Sequence, residues 1–154
     1  MITIRETAPE TGTVDTLIRL SEDWEKENSC RGYRRNRTDD IECNRIFAAF
    51  EGEEMVGYLF GHIESSKNNS SVMPDGTAFF EAEELYVKPA YRNRGIGRAL
   101  FKRVEEAVRD DAEYILLSTA TKNWKAIFRF YIDELGMEFW NARLFKRLRK
   151  EGKS

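Results

Sequence analysis

The chain has 154 residues, of which 41% are apolar and 34% charged, and it is rich in aromatics with ten Phe, six Tyr and three Trp. That length predicts one domain, read as residues 1–148 with a basic tail at 149–154, and leaves room for a single sizeable core. A formal net charge of −2 excludes the broad basic surface of a general nucleic-acid binder.

"ITIR" (2–5) alternates apolar and polar residues and predicts a first strand. In 14–28, Val14, Leu17, Ile18 and Trp24 recur at helical spacing with acids opposite. "CRGYRRNRTDD" (30–40) is a polar loop or short helix, a candidate to fold over a site. The run 44–65 reads as a β-hairpin turning at "EGEE", where Gly52 supplies a positive φ. Turn residues fill 66–77, and "AFFEAEELYV" (78–87) is a strand stopped by Lys88-Pro89. Ile96, Leu100, Val104 and Val108 then recur every four residues, an amphipathic helix. "AEYILLSTA" (112–120) is nearly all apolar, as a strand buried on both faces would be. A last helix, 123–135, stops at Gly136, and the aromatic stretch 137–148 reads as a final strand.

Two cysteines (Cys30, Cys43) without a CxxC spacing and one histidine (His62) argue against a metal site and for free thiols in a reducing compartment. No apolar run approaches the roughly 18 residues that span a bilayer, and the N-terminus lacks an apolar leader pattern. A cytoplasmic protein without membrane contact is expected.

Between strand and helix lies "YRNRGIG" (91–97). Glycines let backbone N–H groups crowd round a ligand, and a helix start adds unpaired donors and the positive end of the macrodipole. That is an anion cradle, with Arg92, Arg94 and Arg98 as added charge. No Gly-Lys-Ser/Thr closes it and the glycines do not fall as GxGxxG, so nucleotide-triphosphate and dinucleotide loops fit poorly.

The stretch "LYVKPAYRNRGIGRALF" (85–101) resembles the central signature of the GNAT superfamily of acetyl-CoA-dependent N-acetyltransferases. Arg92, Gly95 and Gly97 fill the family's Q/R-x-x-G-x-G/A pattern after an L-x-V-x-P strand. The resemblance implies an α/β (α+β) fold with a mixed, mostly antiparallel sheet of six to seven strands and about four helices. It implies acetyl-CoA as acyl donor. The backbone of Leu85, Tyr86 and Val87 would pair with the pantetheine arm. Amides from Asn93 through Arg94, Gly95, Ile96 and Gly97 to Arg98 would hold the pyrophosphate, and the thioester would lie where two strands splay. Similar folds commonly dimerise, and the edge 137–148 offers a place for two copies to pair.

Acetyl transfer to an amine needs a proton acceptor, a stabilised oxyanion and an outlet for the thiolate. "EAEEL" (81–85) is the richest source of carboxylates. Strict alternation would put Glu81, Glu83, Leu85 and Val87 on one face, and Glu84 and Tyr86 on the other. Acetyltransferases of small amines resemble this chain with a Glu at position 83, which makes Glu83 the first choice of base and Glu84 the second. The family's last helix carries Asn-x-x-Ala followed by a Tyr about seven residues after the Asn. Asn123 and Ala126 match, but position 130 is Phe and Tyr131 comes one residue late. A π-bulge would restore its face. Tyr131 is the candidate acid, Phe130 a cofactor-packing residue, and Asn123 a ligand of the cofactor arm. His62 reads as a core or edge histidine. Trp24, Tyr33, Trp124 and Trp140 are candidates to line the acceptor pocket.

The acceptor expected is a small cationic amine attacked directly in a ternary complex. Two alternatives stay open, a protein or peptide N-acetyltransferase and a non-catalytic acetyl-CoA-binding regulatory module.

Overall fold

The computed structural model describes residues 1–149. Residues 150–154, most of the expected basic tail, lie outside the described residues. Five strands form one open sheet in the order β1-β2-β3-β4-β5, namely β1 Ile2–Thr7, β2 Arg45–Glu51, β3 Glu54–Ser65, β4 Ala78–Val87 and β5 Tyr114–Leu116. The first four pair antiparallel and β5 lies parallel to β4, a mixed, mostly antiparallel sheet. Four helices flank it, α1 Thr11–Glu27, α2 Thr38–Ile41, α3 Ile96–Val108 and α4 Trp124–Phe128, the last running on as a π-helical turn over Arg129–Glu134.

Alternation along β2 divides the core between the two faces. Ile46, Ala48 and Phe50 meet Val14, Leu17 and Leu20 of α1 and Ile41 of α2, while Phe47 and Ala49 meet Leu100 and Val104 of α3. Each such large side chain, fully buried, contributes about 1.5–3 kcal/mol. The β2–β3 turn uses Gly52 at φ 60°, as the sequence requires.

Three expectations fail. Among the described residues the sheet has five strands, not six or seven. The stretch 137–148 forms no strand, and Leu144, Phe145 and Leu148 are largely exposed. Its apolar residues fall in pairs, Phe139-Trp140 and Leu144-Phe145, so no period-2 face persists. Strand β5 is only three residues long and half-buried, because β4 bends away from it after Glu81.

Candidate active site

The bend in β4 is a β-bulge. Across β3, Phe60 pairs with Glu84 and Gly61 with Ala82, so Glu83 has no partner. One extra residue inverts the alternation beyond it. Leu85 and Val87 pack with Ala82 and Phe80 towards α3, while Tyr86 packs towards α1. Glu81 pairs with His62, on the face shared with Phe60 and Glu84. The expected face of Glu81, Glu83, Leu85 and Val87 is therefore corrected, since the bulge gathers Glu81, Glu83 and Glu84 on the α1–α2 side. Gly61 permits the pinch, because a Cβ there would strike the Glu81 carbonyl oxygen and lie 2.8 Å from the Phe80 ring.

The pairing of β4 with β5 covers only Phe79, Phe80 and Glu81. Beyond Glu81 the two strands part, which leaves the β5-side edge of Leu85–Val87 without a strand partner. Past β5 the chain is joined instead by the segment after α1, where Arg31 N–H donates to the Ala120 carbonyl (2.9 Å) and Lys122 N–H to the Ser29 carbonyl (2.9 Å).

On the α1–α2 side a cleft of about 690 Å³ opens, walled by the 30–44 segment and by His62, Glu83 and Glu84. Glu84 is anchored through Oε1, which accepts from Tyr33 Oη (3.0 Å), Tyr58 Oη (3.0 Å) and Asn36 Nδ2 (2.9 Å). Burial raises its carboxyl above the usual range, and the three donors oppose that rise. Burial and the Glu84 charge together raise both phenols, so Tyr33 and Tyr58 stay protonated donors. Trp24 stacks on Tyr33 and on Tyr86, with centroids 4.2 and 5.4 Å apart, and stiffens that wall. Arg34 and Asp40, also on the wall, pair with each other at 3.1 Å.

His62 sits among carboxylates. Asn44 Nδ2 donates to the Asp40 carbonyl (2.9 Å), which turns the acceptor Asn44 Oδ1 towards His62 Nδ1 (2.9 Å). Nε2 meets Glu64 Oε1 at 2.8 Å, and Glu83 Oε1 lies 3.7 Å from Nδ1. Glu81, across the ladder, titrates near about 7, pushed up by burial and then by Glu83 and Glu64, with His62 opposing.

The β4–α3 loop is built as the sequence requires. Gly95 caps α3 at φ 78° and Asn93 also adopts the left-handed region. The first intrahelical bond is Ala99 N–H to the Gly95 carbonyl, and no side chain caps the helix. The N–H groups of Ile96, Gly97 and Arg98 thus precede any helical acceptor, the donor set that a pyrophosphate fits. Arg92 does not join that set. Its guanidinium is held by Glu27 (2.8 Å) and its Nε donates to the Val87 carbonyl (2.8 Å), so it ties the end of β4 to α1.

The last helix contains the π-type bond, Leu135 N–H to the Phe130 carbonyl (3.0 Å). A Cβ on Gly97 would lie 3.2 Å from the Phe130 ring, which places Phe130 over the start of α3. Tyr131 packs edge-on to Phe101 and into the α3 core, and burial, with Cys30 adding, pushes its phenol up to about 12. Asn123 precedes α4 and is exposed. Trp124 and Trp140 lie away from the cleft, the first against Phe128 and the second bonded to Ser71. Sequence reasoning missed His62, Asn36, Tyr58 and Gly61 as parts of this site. Their roles arise from cross-strand register, and no local motif marks them.

An amide cradle beside a parted sheet edge, with a carboxylate-walled cleft on one face, defines an acyltransferase site. The family model described as "Acetyltransferase (GNAT) family" matches residues 14–137, and the chain belongs to that family of acetyl-CoA-dependent acetyltransferases. Among curated protein sequences none matches. Solved structures share the fold. An aminoglycoside acetyltransferase from an uncultured soil metagenomic sample is 19% identical, over 97% of this chain and 99% of its own, with a TM-score of 0.71. A transcriptional regulator from Bacillus halodurans C-125 is 21% identical over 96% and 100%, with a TM-score of 0.71. The aminoglycoside N-acetyltransferase AAC(6')-Iy, solved with CoA, is 18% identical over 96% and 100%, with a TM-score of 0.66. None of the described helices is long and apolar enough to cross a membrane.

Proposed function

We propose that the protein acetylates a primary amine on a small cationic acceptor, which attacks directly while donor and acceptor are bound together. One observation carries the reading: the cleft beside the parted strands presents Glu83 and Glu84, while its only arginine is already paired with Asp40. Such a wall favours an ammonium and disfavours an anion. Glu84, fixed by three donors, holds a cationic group of the acceptor. Glu83, exposed on the same wall, takes the proton that the ammonium must lose.

Acetyl-CoA supplies the acetyl group. Leu85, Tyr86 and Val87 offer backbone for the pantetheine arm, and the amides of Asn93 to Arg98 offer donors for the pyrophosphate, with Arg94 and Arg98 as nearby cations. Asn123 reaches the arm and Phe130 packs beside it. In this reading Arg92 braces the loop and Tyr131 packs the last helix against α3. The exposed aromatics of 137–148 and the open edge of β5 favour pairing of two copies, which sedimentation at increasing concentration tests.

The test is thiol release from acetyl-CoA with a panel of amino sugars, polyamines and peptides. Amino sugars head the panel because several neighbours in fold are aminoglycoside acetyltransferases. Release with the small amines and none with peptides is expected. Peptide preference would move the acceptor to proteins, and tight CoA binding without release from any amine would leave a regulatory module.

A further inference from the structure

We propose that Glu81 is the acid of the reaction, giving its proton to the departing sulfur, and that His62, cross-strand from it, is the positioning residue that eases release of that proton. This rests on the acetyl-transfer reading above.

The geometry begins with where β4 leaves β5. Glu81 forms the last pair with β5, opposite Leu116, so its side chain stands at the point from which the strands diverge. Cross-strand pairing with His62 puts it on the same face of the sheet as Glu84, and His62 Nδ1 in turn lies 3.7 Å from Glu83 Oε1. Tyr131, the phenol that the family pattern would use, packs edge-on to Phe101 in the cluster that also holds Leu85 and Val87, and burial makes it hold its proton tightly. Glu81 is half-buried, whereas Glu83 is exposed to the cleft. Two neighbouring carboxyls in unlike settings divide into an acid and a base.

The charged and titratable groups facing Glu81 are Glu83 on its own strand and His62 and Glu64 on β3. Burial, Glu83 and Glu64 hold the proton on Glu81 up to about pH 7, and His62 opposes them. The ring cannot wander, because Asn44 fixes Nδ1 and Glu64 faces Nε2.

The protons balance. Glu83 takes one from the ammonium, and the freed amine forms the new C–N bond. As the C–S bond breaks with its electron pair on sulfur, Glu81 gives sulfur its proton. The Glu81 carboxylate then takes the proton that the acylated nitrogen sheds. Glu83 returns the first proton to water, so the net products are amide, free thiol and one proton.

The experiment combines activity with a readout that needs no turnover. Difference infrared titration of the ligand-free protein, wild type against Glu81→Gln, is expected to show a carboxyl band titrating near pH 7 in the wild type alone. Glu81→Gln is expected to lose about 100-fold or more in kcat near neutrality, the usual scale for a general acid, with CoA affinity by calorimetry unchanged. In the wild type kcat falls above about pH 7 as Glu81 ionises. His62→Gln should move that fall to higher pH, because a group opposing the proton is gone. Wild-type kcat across pH in Glu81→Gln, or the band surviving in that variant, overturns the assignment while leaving acetyl transfer standing. Absence of thiol release from the wild-type protein with every amine overturns the reading beneath it instead, and the infrared titration still reports whether Glu81 holds its proton.

Discussion

Replacing Glu81 with Gln should stabilise the folded protein at high pH and leave it almost unchanged at low pH. The Glu81 carboxyl titrates near about 7 when folded, against an ordinary 4.5. Between those two values the folded state keeps a proton that the unfolded chain has released. Stability therefore falls as pH rises through that window and levels off above it. At about 1.4 kcal/mol per tenfold change in proton affinity, the loss is about 3 kcal/mol, which solvent at the exposed flank trims to about 2 kcal/mol. Gln keeps the shape and never ionises, so the variant escapes this loss. Urea unfolding followed by the fluorescence of the three tryptophans, at pH 4.5 and pH 8, measures the gap. The difference between variant and wild type is the quantity to read, since Glu84, also raised by burial, titrates in both proteins and cancels. A gap that does not widen with pH, or a variant less stable at pH 8, would refute the account of Glu81.

Three further outcomes follow from the site. Gly97→Trp should abolish CoA binding in calorimetry, because the side chain would meet Phe130 and fill the start of α3 where the amides must be approached; unchanged affinity would remove the cradle assignment. Gly61→Ala should cost at least about 3 kcal/mol, the upper end for overpacking, since the new methyl group meets the Glu81 carbonyl and the Phe80 ring; an unaltered melting curve would mean that β4 is not pinched there. Tyr131→Phe should keep both kcat and CoA affinity within about twofold, because only a packed hydroxyl is lost; a drop of about 100-fold, the scale of a lost general acid, would return Tyr131 to the chemistry.

What the sequence disclosed and what it concealed differ in the range of the interactions involved. The β4–α3 loop was legible because its chemistry is local: Gly95 takes φ 78°, and the N–H groups of Ile96, Gly97 and Arg98 precede the first helical acceptor. The same holds for the hairpin at Gly52 and the stop at Gly136, each a positive-φ position that the residue itself announces. The π-type turn in the last helix was legible as an option, since Tyr131 stood one residue out of place, but its direction was not. Whether that turn aims the phenol at the parted strands or into the core depends on Phe101, thirty residues earlier in the chain. The bulge was not legible at all. "EAEEL" read strictly by twos divides its acids between two faces, and nothing within the pentapeptide says that Glu83 will go unpaired. The signal lies in β3, where Gly61 opens the space into which the Glu81 carbonyl moves. That one long-range fit turns Glu84 to the face that carries Glu81 and sets Glu83 and Glu84 on the cleft wall with His62, which makes an acidic strand into a site with distinct proton-holding groups.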